Sequence, residues 1–164
     1  LGDHAATILA GRHQLELPES IRTDCAPLAG LGQNLLRAVP ETAVLRDPTR
    51  GGLAAVLNEI AEASGVGILI DEEAIPIRPE VQGVCDILGF DPLYLANEGK
   101  VVAFVPGEKA ELALQTMRSH KYGKDACIIG EATAEAAGQV GLRTGIGGIR
   151  VVDMPLGNLV PRIC

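Results

Sequence analysis

The sequence predicts an α/β layer fold, a two-layer arrangement in which a mixed sheet carries helices mainly on one face. Three observations carry that reading. Strand and helix patterns alternate through the first two thirds of the chain, and strand patterns then crowd together near its end. Hydrophobic residues make up 47% of the 164 residues, enough for a core, while aromatics make up 2% and Trp is absent, so that core is built from Leu, Ile, Val and Ala. Residues 51–65, GGLAAVLNEIAEASG, set Leu53, Val56, Leu57, Ile60 and Ala61 on one helical face.

In chain order, Asp24 is a candidate cap for a helix over 24–39, where Leu28, Leu31, Leu35 and Val39 recur at helical spacing. AVLRD (43–47) reads as a short extended segment. The 51–65 helix follows and closes at Gly65. VGILIDE (66–72) is a buried strand. RPEVQGVCDILG (78–89) is a helix opened by Pro79 in its first turn. DPLYLANEG (91–99) is a turn and a loop, and KVVAFV (100–105) a strand. A helix over 106–120 places Ala110, Ala113, Leu114 and Met117 inward. ACIIGEATAE (126–135) and QVGLRT (139–144) read as two strands joined by a turn at Ala137–Gly138, GIGG (145–148) as a second turn, and IRVVDM (149–154) as a last strand. From Pro155 the pattern stops: two prolines and a glycine in ten residues give a tail. The expected organisation is one domain over 1–154 and a flexible tail over 155–164. Residue 1 is Leu, which suggests a piece of a longer protein.

Composition argues against several functions. The net charge of −7 and the lack of a basic stripe leave no electrostatic footprint for nucleic acid. No apolar run approaches the ~20 residues that span a bilayer, and LGDHAATILAGR lacks the basic start of a signal peptide. Cys25, Cys85, Cys127 and Cys164 form no CxxC pair and none lies two to four residues from a His, which argues against a zinc site and points to a reducing, cytoplasmic setting. The first three stand beside apolar residues and are expected to be buried. Cys164, at the chain end, is expected to be exposed.

Four stretches have the residue types for chemistry. DPTRGG (47–52) precedes the strongest helix. Its glycines would leave backbone N–H groups approachable, and Arg50 adds a positive charge at a dipole end that favours anions. Arg50, Gly51 and Gly52 are therefore candidate phosphate-binding residues, although the same six residues suit an ordinary strand-to-helix turn capped by Asp47 or Thr49. In ANEGK (96–100), Glu98 lies between Asn97 and Gly99, where a loop can present a carboxylate as a general base or simply to solvent. In GDH (2–4), His4 is a candidate ligand or acid, or merely exposed. GLRTGIGGIR (141–150) suits a hairpin better than a phosphate loop, because no helix follows it. A thiol at the chain end, Cys164, could be carried to a site elsewhere: ten residues reach at most ~33–36 Å.

PLGNLVPRIC, ending in Pro-Arg-Ile-Cys, resembles the C-terminal signature of the hydrogenase maturation family HypE. DPTRGGL, LYLANEGK and GLRTGIGGIRVVDMP resemble that family's upstream segments in the expected order. DPTRGG is less specific, since aminoimidazole ribonucleotide synthetase, selenophosphate synthetase and thiamine phosphate kinase carry related motifs. Two positions depart from the family pattern, Val160 before the terminal tetrapeptide and Ala5 after His4. The resemblance implies the C-terminal domain of an aminoimidazole ribonucleotide synthetase-like protein. It further implies that the carbamoyltransferase HypF places a carboxamide on Cys164, that ATP-dependent dehydration with Glu98 as base turns it into a thiocyanate, and that the cyanide passes to iron on a HypC–HypD complex. ATP and Mg would be bound mainly by a domain absent from this chain, through which the full-length protein would also dimerise. The fragment alone would then be inactive. Two other readings remain at this point: a domain of a related ATP-dependent synthetase, and a non-catalytic interaction module.

Overall fold

The computed structural model describes residues 1–15 and 22–155; of the predicted tail only Pro155 lies within them, and Cys164 lies outside. Its central feature is a four-stranded mixed sheet of order β4-β2-β5-β6, made of β4 (Gly130–Thr133), β2 (Gly67–Asp71), β5 (Val140–Arg143) and β6 (Ile149–Val151). Strand β2 runs antiparallel to β4 and parallel to β5, with Ile68 opposite Val140 and Ile70 opposite Leu142. Because side chains alternate along a strand, these four point to one face. There they meet Leu53, Val56, Leu57, Ile60 and Ala61 of helix α3 (Gly52–Ser64) and form the main core. The opposite face carries Leu69, Gly141 and Val151 and is open, with Val151 58% exposed. The predicted one-sided packing of helices is what the fold shows.

Two smaller cores flank this one. Helix α2 (Ala29–Ala38) and helix α5 (Ala110–Arg118) pack together through Leu35, Val39 and Ala113. They rest on an antiparallel ribbon of β1 (Val44–Arg46) and β3 (Val102–Phe104), in register Val44 to Phe104. Helix α1 (Asp3–Arg12) packs on helix α4 (Pro79–Leu88), where Ala5, Ala6, Leu9 and Ala10 meet Val81, Val84, Cys85 and Leu95.

The structure corrects four expectations. Residues 3–12, for which the sequence pattern predicts no element, are helix α1. Its inward face is mostly alanine, which gives a weak periodic signal while allowing close helix packing. The helix expected over 24–39 begins at Ala29, and Asp24 caps nothing; its carboxylate is engaged by Lys100 and by the backbone of Glu98. Strands β4 and β5 do not form a hairpin. The connection 134–139 passes over the start of β2, where Gly138 N–H donates to the Val66 carbonyl and Ile68 N–H to that of Gln139, so β2 is inserted between them. The predicted turn at 145–148 does join a hairpin, β5 to β6. Finally, Cys25 and Cys127 are exposed and only Cys85 is buried, because the apolar sequence neighbours of the first two lie in loops.

Gly52, the first residue of α3, holds the helix against the turn Pro92–Tyr94. Its φ is +64°, and a Cβ there would lie 2.5 Å from the Leu93 carbonyl oxygen and 2.6 Å from that of Leu95. Gly52→Ala is therefore expected to destabilise the domain by about 3 kcal/mol or more, through left-handed strain and an overlap with backbone that cannot swing away. A thermal melt of the domain checks this, and a midpoint unchanged from the parent would contradict it.

Candidate functional site

The loop 96–100, between the turn Pro92–Tyr94 and β3, is where the chain's polar segments converge. Asn97 is fully buried. Its Oδ1 accepts the Gly2 N–H at 2.7 Å, and its Nδ2 donates to the carbonyls of Leu95 at 2.8 Å and Pro48 at 3.1 Å. Its own N–H also donates to Pro48 at 3.1 Å. One side chain thus joins the GDH segment and the DPTRGG loop to the segment bearing Glu98. A buried amide satisfied on both ends holds such a junction firmly, since losing a partner would leave a desolvated donor or acceptor unpaired.

Beneath Glu98 lies an ionic cluster. Lys100 Nζ is 2.7 Å from Asp3 Oδ2 and 2.5 Å from Asp24 Oδ2. Asp3 is 4% exposed, and Arg78 Nε lies 3.3 Å from its Oδ1, an ion pair without hydrogen-bond geometry. Burial alone would raise the Asp3 carboxyl, but the Lys100 hydrogen bond and the charges of Lys100 and Arg78 outweigh it and hold the group below the ordinary carboxylate range. The second oxygen of Asp24 accepts the Glu98 N–H at 3.1 Å. Gly99 lies so close to the Asp24 carbonyl that a Cβ there would overlap it. Glu98 itself is exposed, and among the described residues nothing bonds to its carboxylate.

Beside this cluster His4, a candidate ligand or acid or else merely exposed on its sequence, is partly buried. Its Nδ1 is 2.7 Å from Thr23 Oγ1, whose hydroxyl donates to Cys25 Sγ at 3.2 Å, and its Nε2 is buried with no hydrogen-bond partner among the described residues. The three described cysteines differ in access. Cys25 and Cys127 should be alkylated by iodoacetamide in the native domain, whereas Cys85, whose thiol burial pushes up to about 11, should react only on unfolding. Time-resolved mass mapping reads the order directly; labelling of Cys85 as fast as Cys25 would show the α1–α4 core open.

Arg50 is exposed at the start of α3. Gly51 (φ +71°) packs against Ala55, and Gly52 is enclosed by the 93–95 backbone, so close packing accounts for both glycines. The structure brings the Arg50 loop and the Glu98 loop together through Pro48 and Asn97. Near the last described residue, Asn58 Nδ2 donates to the Val152 carbonyl at 2.9 Å, Tyr94 OH to that of Asp153 at 3.0 Å, and Pro155 Cγ lies 3.0 Å from where a Cβ on Gly51 would stand. Two open depressions among the described residues, one lined by Asp71, Glu73 and Arg143 and the other by Gln82, Phe90 and Arg150, are lined by neither Glu98 nor Arg50. No group of three or more His, Cys, Asp or Glu among the described residues is placed to hold a metal ion. For a nucleotide, the chain offers Arg50 as an exposed cation, with the Gly52 backbone closed off. These residues fit an edge contribution to such a site. The segments GDH and ANEGK stand out in the sequence, but no role for Asp3, Asn97 or Lys100 does, and Asp24 suggests only a helix cap. The available signal was that each of these loops carries an unexplained charged or amide side chain.

The chain as a whole is similar to known proteins. The chain is 55% identical over all 164 of its residues to the carbamoyl dehydratase HypE of Rhodobacter capsulatus, and covers 48% of that protein. It matches a crystal structure of the hydrogenase maturation protein HypE in complex with ATP, with a TM-score of 0.93 at 43% identity, covering all of this chain and 50% of that one. It matches HypE in a HypE–HypF complex with a TM-score of 0.88 at 47% identity, covering 94% of this chain and 50% of that one. The chain spans about half the length of the curated relatives it matches. Among the described residues no helix is long and apolar enough to cross a membrane. The family model for the AIR synthase related protein, C-terminal domain, matches residues 1–143, and the chain belongs to that family.

Proposed function

We propose that this chain is the C-terminal half of an ATP-dependent S-carbamoyl-cysteine dehydratase of the HypE type, and that Cys164 carries the reacting group. In the overall change a thiocarbamate, R–S–C(=O)NH2, loses its oxygen and both nitrogen protons to become R–S–C≡N. ATP would supply the phosphoryl group that makes the amide oxygen a good leaving group, so that the oxygen departs as inorganic phosphate while one nitrogen proton goes to solvent and the other to the base. This chain supplies the thiol, a carboxylate to take a proton from the amide nitrogen, and an exposed cation. Glu98 is the base: its carboxylate is unengaged among the described residues and its backbone is fixed from below. Arg50 is the cation at the rim, where it would meet phosphate oxygens. Mg and most contacts to ATP belong to the other half of the full-length protein, so the isolated half is inactive.

The observation that carries this reading is the departure point of the tail. Pro155 leaves the fold against Gly51, next to Arg50, on a loop that Asn97 ties to Glu98. The segment that leads to the thiol thus begins beside the loops of the base and the cation. Glu98 lies on an exposed surface and not in a closed pocket, which fits a site completed by another domain. The partners that follow are a HypF carbamoyltransferase, which loads the thiol, a HypC–HypD complex, which receives the cyanide, and a second copy of the full-length chain as a homodimer. The setting is cytoplasmic. Peptide mapping by mass spectrometry after incubation of the full-length protein with HypF, carbamoyl phosphate and ATP tests the reading. A carbamoyl and then a cyano mass shift on the peptide ending at Cys164 is expected. Shifts on Cys25, Cys85 or Cys127 with Cys164 unmodified would overturn it.

A further inference from the structure

We propose that Asp24 is a positioning residue for Glu98, and that Lys100 acts through Asp24 to the same end. The inference rests on the reading of Glu98 as the base. A general base must stand within about 2.6–3.2 Å of its proton in a reproducible pose, and a glutamate on an exposed loop has no such pose unless its backbone is fixed. Here the backbone is fixed by an element 74 residues away. The Glu98 N–H donates to Asp24 Oδ1 at 3.1 Å, and Gly99 abuts the Asp24 carbonyl so closely that only glycine fits. The Asp24 side chain is 12% exposed and would not hold its rotamer by charge alone. Its other oxygen is held by Lys100 Nζ at 2.5 Å, and that ammonium is shared with the buried Asp3 at 2.7 Å. Asp24 is therefore a bridge, with one oxygen on the ionic cluster and the other on the catalytic loop.

The chemistry requires a carboxylate at this position. An asparagine side chain in its place could accept from the Glu98 N–H with its one oxygen, but its NH2 group would then face the Lys100 ammonium, donor against donor. Turned over, it would satisfy Lys100 and oppose the Glu98 N–H. Either way one of the two bonds is lost, so Asp24→Asn should fail nearly as far as Asp24→Ala although it preserves the shape.

The test uses the full-length protein, loaded by HypF, with single-turnover formation of thiocyanate as the readout. Asp24→Ala and Asp24→Asn are each expected to slow dehydration tenfold or more. Loading of Cys164 by HypF, which does not use Glu98, should change less than twofold. When either substitution is added to Glu98→Gln, the rate should stay at that of Glu98→Gln, because a residue that acts only by placing the base has nothing left to place. An Asp24→Ala protein that dehydrates within twofold of the parent, while Glu98→Gln is inactive, overturns the positioning role and leaves the base assignment intact. A further drop in the double variant, or loading slowed as much as dehydration, also overturns it, by showing that Asp24 acts elsewhere or on folding. A Glu98→Gln protein of near-normal rate would instead remove the reading on which the inference rests.

Discussion

Cys164→Ala in the full-length protein is expected to abolish loading by HypF altogether, with no change in thermal stability. The first half follows from chemistry. A thiolate is the only nucleophile at the chain end, and a methyl group cannot carry a carboxamide. The second half follows from packing. Among the described residues all three cores are built from positions up to Val152. Cys164→Ser separates nucleophilicity from geometry: an oxygen in place of sulfur would give a cyanate ester, a poorer donor of cyanide. Residues added after Cys164 should block the reaction, since a chain end enters a narrow passage more readily than a loop. Mass mapping of the tail checks each case, and loading of the Ala protein at the parent level would end the proposed role of Cys164.

Glu98→Gln should leave loading intact and slow dehydration by ~10²–10⁴, the usual worth of a positioned general base. Glutamine keeps the shape of the side chain and can still hydrogen-bond, but it cannot take a proton. The Glu98 N–H bond to Asp24 is made by the backbone, so the substitution leaves the loop where it is. The loss should appear in the rate of thiocyanate formation at saturating ATP, because the carboxylate itself makes no bond among the described residues that holds the fold. A rate within tenfold of the parent would show that another group removes the proton.

The fold was legible where apolar residues recur strongly. Helix α3 is bounded by glycines and strand β2 begins at one, both are rich in apolar side chains, and both form where the sequence predicts. Helix α1 was not, because Ala5, Ala6 and Ala10 bury small surfaces that leave little mark on a pattern. The pairing of β2 between β4 and β5 was also out of reach: turn residues show that a chain reverses, not which strand will be inserted between its arms. The site divides the same way. Glu98 and Arg50 could be named from their loops, since each stands beside glycine in a polar run. The Asp3–Lys100–Asp24 cluster could not, because Lys100 lies 97 and 76 residues from its two partners and only the folded chain brings them together. Asp24 shows the competition directly. Its type is a favoured helix cap, but a partly buried ammonium and a backbone N–H won it instead.

The contact of Pro155 with Gly51 has a consequence for the order of the reaction. It fixes the origin of the segment 156–164, and nine residues extend no farther than about 30–32 Å from that point. On the proposed function, that bound alone would give the thiol an effective concentration at the Arg50 loop in the millimolar range. Dehydration of the loaded thiol would then be unimolecular. Dilution does not slow it, and free cysteine in the surrounding solution cannot displace it without matching that concentration. On that reading the substrate would be a property of the protein, present in one copy per chain.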